Sequence, residues 1–194
     1  MRDKYGKIRR ERKVVAMKLR TMLPCAIFAA ILCIVSPLSV PIGAVPLTLM
    51  LFGVMLCAVV LPWQQSGLSV LLFLLLSLCG LPVFSGGNSG ITALPGPTGG
   101  YIWSLLLVTP LISFLCRTKL AEKYPLPGAI IACILGLPLC YLCGTAQFSL
   151  LAGRSFGESL SLCVFPFIIP DMIKAVAASL LGVPVRKLLE QHLK

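Results

Sequence analysis

Two charges stand alone in an apolar stretch near the end of the chain. In Pro170-Asp171-Met172-Ile173-Lys174, Asp171 and Lys174 are the only charged residues between Ser159 and Val185. At a spacing of i, i+3 a helix projects both side chains from one face, where they pair. A charge at mid-membrane costs about 2.5–3.5 kcal/mol on the insertion scale, so the pair must face a protein interior or an aqueous cavity. It reads as a polar ligand site or relay; the alternative is a structural ion pair that fixes helix packing. With Pro170 in the first turn of a helix, Asp171 would also lie near the positive helix end that favours its anion.

Two glycine-rich stretches carry the other polar candidates. Asn88, the single Asn of the chain, sits in Ser85-Gly86-Gly87-Asn88-Ser89-Gly90. Its amide donates and accepts at once, yet on the residues alone it reads first as a turn residue. Gly96-Pro97-Thr98-Gly99-Gly100-Tyr101-Ile102-Trp103 leads into an apolar segment. Tyr101 and Trp103 are interfacial anchors by default. The pair Gly99 and Gly100, followed by aromatics, would also let a flat ligand approach the backbone and stack.

Other chemistries lack their residues. Cys140 and Cys143 form a C-x-x-C without a second such pair, and the chain has one His, at position 192. The nine cysteines therefore read as small apolar packing residues, not as a zinc site. No Walker motif, H-E-x-x-H or paired buried carboxylates occur, which argues against nucleotide hydrolysis, a metalloprotease or a carboxylate-based enzyme. No metal and no cofactor is expected.

The elements that must position these residues are membrane helices. The 194 residues are 58% hydrophobic and 12% charged, and soluble domains carry about twice that charge. Thr21 to Cys116 is a run of 96 residues without Asp, Glu, Lys, Arg or His, which only lipid accepts as solvent. The net charge of +11 is uneven, with nine of the 17 basic residues in the first 20 positions. A basic block ahead of an apolar segment retains a terminus in the cytoplasm and suits anionic head groups better than nucleic acid. The same block followed by Leu23–Val35 resembles a signal peptide, but no convincing cleavage site follows it. The expected domains are a basic cytoplasmic segment 1–20 and a transmembrane domain 21–194.

Pro, Gly and the few charges cut the apolar sequence into six expected spans. They run from about Thr21 to Val35, Pro46 to Leu61, Gln65 to Leu81, Tyr101 to Cys116, and Pro127 to Cys143. The last begins between Cys163 and Pro170, reaches about Val185, and continues as an amphipathic end through Leu193. Sixteen helical residues cover about 24 Å against a hydrocarbon core of about 30 Å, so the boundaries extend into the links or one segment is re-entrant. With both termini on one side, fifteen of the 17 basic residues share that side and Arg154 alone faces the other, as the positive-inside rule requires. The two long outer links are Pro82–Gly100 and about Gly144–Leu162, the latter holding Gln147, Arg154 and Glu158. In the first span Ala26 and Ala30 make a small-xxx-small ridge for close approach of another helix, in this chain or a partner.

Four stretches carry a resemblance: Val45-Pro46-Leu47-Thr48-Leu49, Gly80 to Gly87, Gly96 to Tyr101, and Phe167 to Ala175. In this order and spacing, over about Leu19 to Leu189, the chain resembles BioY, the substrate-capturing S component of biotin transporters of the energy-coupling factor type. The resemblance implies an all-α bundle of six transmembrane helices in the cell membrane, both termini cytoplasmic, with outer loops capping a ligand pocket. It implies biotin capture from outside and docking onto an energy-coupling transmembrane subunit with two ATPase subunits, with Ala26 and Ala30 as a contact. It further implies that Asn88, Asp171 and Lys174 hold biotin, with Gly99, Gly100 and Tyr101 forming a wall. A neutral ring system would stack on Phe84, Tyr101 or Trp103. After Pro-Leu-Thr-Leu the family pattern carries Gln, where this chain has Met50. Two readings from other classes remain beside this one: an intramembrane enzyme using Asp171 and Lys174 as acid and base, and a structural membrane subunit.

Overall fold

The computed structural model describes residues 22–42 and 45–193; the basic segment 1–20 lies outside the described residues. Each expected apolar segment contains a helix. These are α1 (Met22–Val35), α2 (Met50–Val60), α3 (Trp63–Leu78), α5 (Gly99–Leu115), α7 (Pro125–Ala152) and α9 (Phe165–Leu193). Short helices α4 (Gly90–Ala93), α6 (Lys119–Lys123) and α8 (Phe156–Cys163) lie between them.

The chain departs from the expected all-α architecture between α1 and α2. There, β1 (Ser39–Ile42) and β2 (Val45–Thr48) pair antiparallel, with Val40 opposite Leu47 and Pro41 opposite Pro46. A residue before proline is pushed out of the helical region into extended backbone, which acts on Val40 and on Val45. Both strands of a two-stranded ribbon are edges, where proline is tolerated. The second apolar segment therefore does not start as helix at Pro46 but at Met50, leaving α2 with 11 residues, about 17 Å.

At the other end of the sequence the helices are longer than expected. The link placed at Gly144–Leu162 is largely helical, because α7 continues to Ala152 and α8 follows after a short turn. Ser155 and Glu158 form a capping box that starts α8, satisfying donors that a helix N-terminus otherwise leaves open. The last helix begins at Phe165, so Pro166 takes the first turn and Pro170 lies inside α9. Asp171 is thus a second-turn residue, beyond the end that would favour its anion. With 28 and 29 residues, α7 and α9 measure about 42 and 44 Å. Both are long and apolar enough to cross a membrane.

The bundle centres on α5, which packs against α7, α3 and α2, while α9 packs against α2 and α7. Its core holds Leu32, Val54, Met55, Phe73, Val108, Ile112 and Ala175. The outer surface is apolar as well: Ile34, Leu107, Phe114, Leu150, Ile169 and Ile173 are each at least 60% exposed. A surface of this kind would aggregate in water, and with the composition it marks a membrane protein.

Missing side chains let α5 and α7 approach. A Cβ on Gly144 would meet the ring of Tyr101, and one on Gly100 would meet the Cys143 carbonyl and Gln147. Gly144→Ala must therefore displace Tyr101 or part the helices, with an expected loss of about 1–3 kcal/mol. Thermal unfolding in detergent reads this directly, and an unchanged midpoint would contradict the close packing.

Candidate functional site

A cavity of about 230 Å³ opens among β2, α5, α7, α9 and the two glycine-rich stretches. Its charged wall comes from α9. Asp171 and Lys174 are both buried, at 4% and 9% exposure. One helical turn sets them together, and Lys174 Nζ donates to Asp171 Oδ1 at 2.8 Å. From α7, the Tyr141 hydroxyl donates to Asp171 Oδ2 at 2.7 Å. Both carboxylate oxygens are thus held by donors from two helices, which is how a buried charge becomes tolerable. Lys174 has three N–H donors and bonds only Asp171 among the described residues. Donors are left over at the cavity wall.

The structure brings together five of the residues expected from the sequence: Phe84, Asn88, Tyr101, Asp171 and Lys174 all line this cavity. Phe84 is buried and held edge-on against Phe73 of α3, ring centroids 5.5 Å apart. Asn88 is exposed at the rim, and its amide nitrogen donates to the Ser85 carbonyl at 2.9 Å. Gly86 and Gly87, with φ of 74° and 75°, supply the left-handed backbone this turn needs. Asn88 is therefore a turn residue and a cavity residue together. The Tyr101 hydroxyl lies 3.4 Å from Thr145 Oγ1 and 3.5 Å from the Cys163 carbonyl.

Three expected residues stand elsewhere. Trp103 is 45% exposed on the outside of α5 and does not line the cavity. Gly99 and Gly100 are buried away from it: a Cβ on either would strike Gln147, with the Leu94 carbonyl beside Gly99 and the Cys143 carbonyl beside Gly100. Their lack of side chains serves packing of α5 against its own loop and α7. Ala26 and Ala30 are exposed, while Cys25, Phe28, Ala29 and Leu32 face the bundle. The alanine ridge therefore points away from this chain.

Sequence reasoning missed Tyr141, Ser36 and the strand β2. The signal for Tyr141 was an aromatic hydroxyl within an apolar run, which needs a partner when buried. Ser36, just after α1, lines the cavity and has the one buried side-chain polar atom without a hydrogen-bond partner among the described residues. Val45–Thr48 form a wall, and Met50 also lines the cavity.

Comparison with known proteins places these features in a family. The model of the BioY family matches residues 9–191. The biotin transporter BioY2 of Lactococcus lactis is 38% identical over 165 residues, covering 85% of this chain and 89% of its own. The biotin transporter BioY of Thermotoga maritima is 32% identical over 170 residues, covering 88% and 98%. The crystal structure of the S component for biotin from an ECF-type ABC transporter superimposes with a TM-score of 0.79 at 31% identity, over 88% of this chain and 92% of that one. In sequence over nearly its whole length, and in fold, this chain belongs to the BioY family.

Proposed function

We propose that this protein binds biotin in the cavity beside Asp171 and mediates its uptake as the substrate-specific subunit of an ATP-driven energy-coupling factor transporter. The observation that carries the reading is the buried Asp171–Lys174–Tyr141 cluster on the wall of a mostly apolar cavity, in a chain of this family. A ureido ring has two N–H donors and one carbonyl acceptor. Asp171 accepts, Asn88 does both, and Lys174 serves the ureido oxygen or the tail carboxylate. Phe84 and Tyr101 offer rings for stacking, and Ser36 a hydroxyl.

The same proposal includes six spans with both termini cytoplasmic, supported by fifteen of 17 basic residues falling on that side. The short α2 then completes its crossing together with the hairpin before it. The exposed ridge of Ala26 and Ala30 suits an energy-coupling transmembrane subunit, itself served by two ATPase subunits.

Mass spectrometry of the ligand carried through a gentle purification should find biotin; a different small molecule would redirect the assignment. In detergent, Asp171→Asn and Lys174→Ala each leave a buried polar partner unmatched and should weaken biotin binding at least about a hundredfold. Tyr141→Phe removes one donor from the carboxylate and should cost about tenfold. Unchanged affinity in all three would sink the site. For topology, single cysteines replacing Arg154 and Lys119 in a cysteine-free background should differ in intact cells. An impermeant maleimide should label position 154 and not 119, and the opposite pattern would invert the orientation.

A further inference from the structure

Gln147 lies outside the cavity but is bonded to one of its walls. Thr92 and Ala93 at the end of α4, and Gly96, Pro97 and Thr98 in the link from α4 to α5, line the cavity. Leu94, at the end of α4, is buried in the bundle core with Ala93 packed against it, but beyond it the link runs through the exposed Pro95 and Pro97. The Gln147 side chain, projecting from the part of α7 beyond Cys143, reaches it. Gln147 Nε2 donates to the Leu94 carbonyl at 3.0 Å and to the Gly96 carbonyl at 2.9 Å. Both partners are acceptors, so only the amide nitrogen can face them, and both of its protons are used. The Leu94 carbonyl is one that the end of α4 leaves without an intrahelical partner.

The glycine pair belongs to the same arrangement. A Cβ on Gly99 would collide with the Leu94 carbonyl and Gln147 Nε2, and a Cβ on Gly100 with Gln147 Cβ. Gly99 and Gly100 thus leave the space through which Gln147 passes α5 to reach the loop. The Gly99 amide also donates to the Gly96 carbonyl at 3.0 Å, which fixes the second acceptor in place.

We propose that Gln147 is a positioning residue that latches the 92–98 segment over the cavity and thereby sets how fast bound ligand escapes. The inference rests on the reading of the cavity as the biotin site. With the latch intact the wall stays closed on the ligand. Without it the stretch 95–98 keeps only the buried Leu94 before it, α5 after it and its own turn bonds, and the ligand leaves through the opening.

The test uses the full chain in detergent, as wild type, Gln147→Glu and Gln147→Leu. Gln147→Glu keeps the size of the side chain but turns an ionised acceptor toward two carbonyl oxygens, so a role in packing alone would survive it. Hydrogen exchange of amides 90–98 without ligand should speed up in both variants while exchange in α3 and α9 stays as in wild type. Dissociation of labelled biotin in a chase should be about tenfold faster, with the association rate unchanged. Unchanged dissociation in Gln147→Glu, or faster dissociation with unaltered exchange at 90–98, would overturn the latch. A wild type that holds no biotin would overturn the functional reading, and with it the ligand half of this inference. The exchange of the ligand-free loop is read separately from that result.

Discussion

An ionised carboxylate buried among membrane helices has to be matched on every side. Asp171 is matched by Lys174 one turn along α9 and by the hydroxyl of Tyr141 from α7, and the rest of the bundle is arranged around that need. Both charges lie on α9, so parting α7 from α9 keeps the ion pair but strips the Tyr141 donor from a buried carboxylate oxygen, at about 1–3 kcal/mol. The arrangement stabilises the carboxylate without consuming it. An ionised carboxylate has about four lone-pair sites, of which the bonds from Tyr141 and Lys174 occupy two, and Lys174 keeps donors in reserve. A polar ligand can therefore enter the cluster without displacing its internal bonds.

Shape follows from absent side chains. Gly100 and Gly144 bring α5 and α7 into contact, and contact between these helices places Tyr101 of one and Tyr141 of the other on the same cavity. The helix extension beyond Cys143 then carries Gln147 to the link between α4 and α5. One interface thus positions an aromatic wall, a partner for the charged pair, and the Gln147 bonds to the cavity-lining link. The first helix puts no residue of its own on the cavity, Ser36 following directly after it, and its exposed alanines leave its outer face open for close helix packing.

Much of this was legible in the sequence, for physical reasons. Charge is so scarce that Asp171 and Lys174 stand out against 96 preceding residues with none between Thr21 and Cys116, and Pro or Gly marks nearly every break between helices. The hairpin was hidden because Val45-Pro46-Leu47-Thr48 is as apolar as the helix that follows, so hydropathy merges the two; the prolines were the available signal. The length of α7 was hidden for the opposite reason. Gly144, Gln147 and Ser149 look like a link, whereas glycine there permits close packing and glutamine is consumed by the loop. The role of Gly99 and Gly100 was misread because a glycine pair before aromatics suits a ligand and a neighbouring backbone equally well, and only the position of Gln147 distinguishes them. Tyr141 gave no spacing pattern, since its partner is 30 residues away.

In the proposed site the buried cluster on α9 is where biotin is held. A crystal structure of the protein grown with biotin tests it most directly. Density is expected in the cavity with ureido nitrogen within about 3 Å of a carboxylate oxygen of Asp171, and the Tyr141 and Lys174 bonds retained. Biotin bound elsewhere, or a cavity left without it while Asp171 keeps only Tyr141 and Lys174, would rule out this cluster as the site.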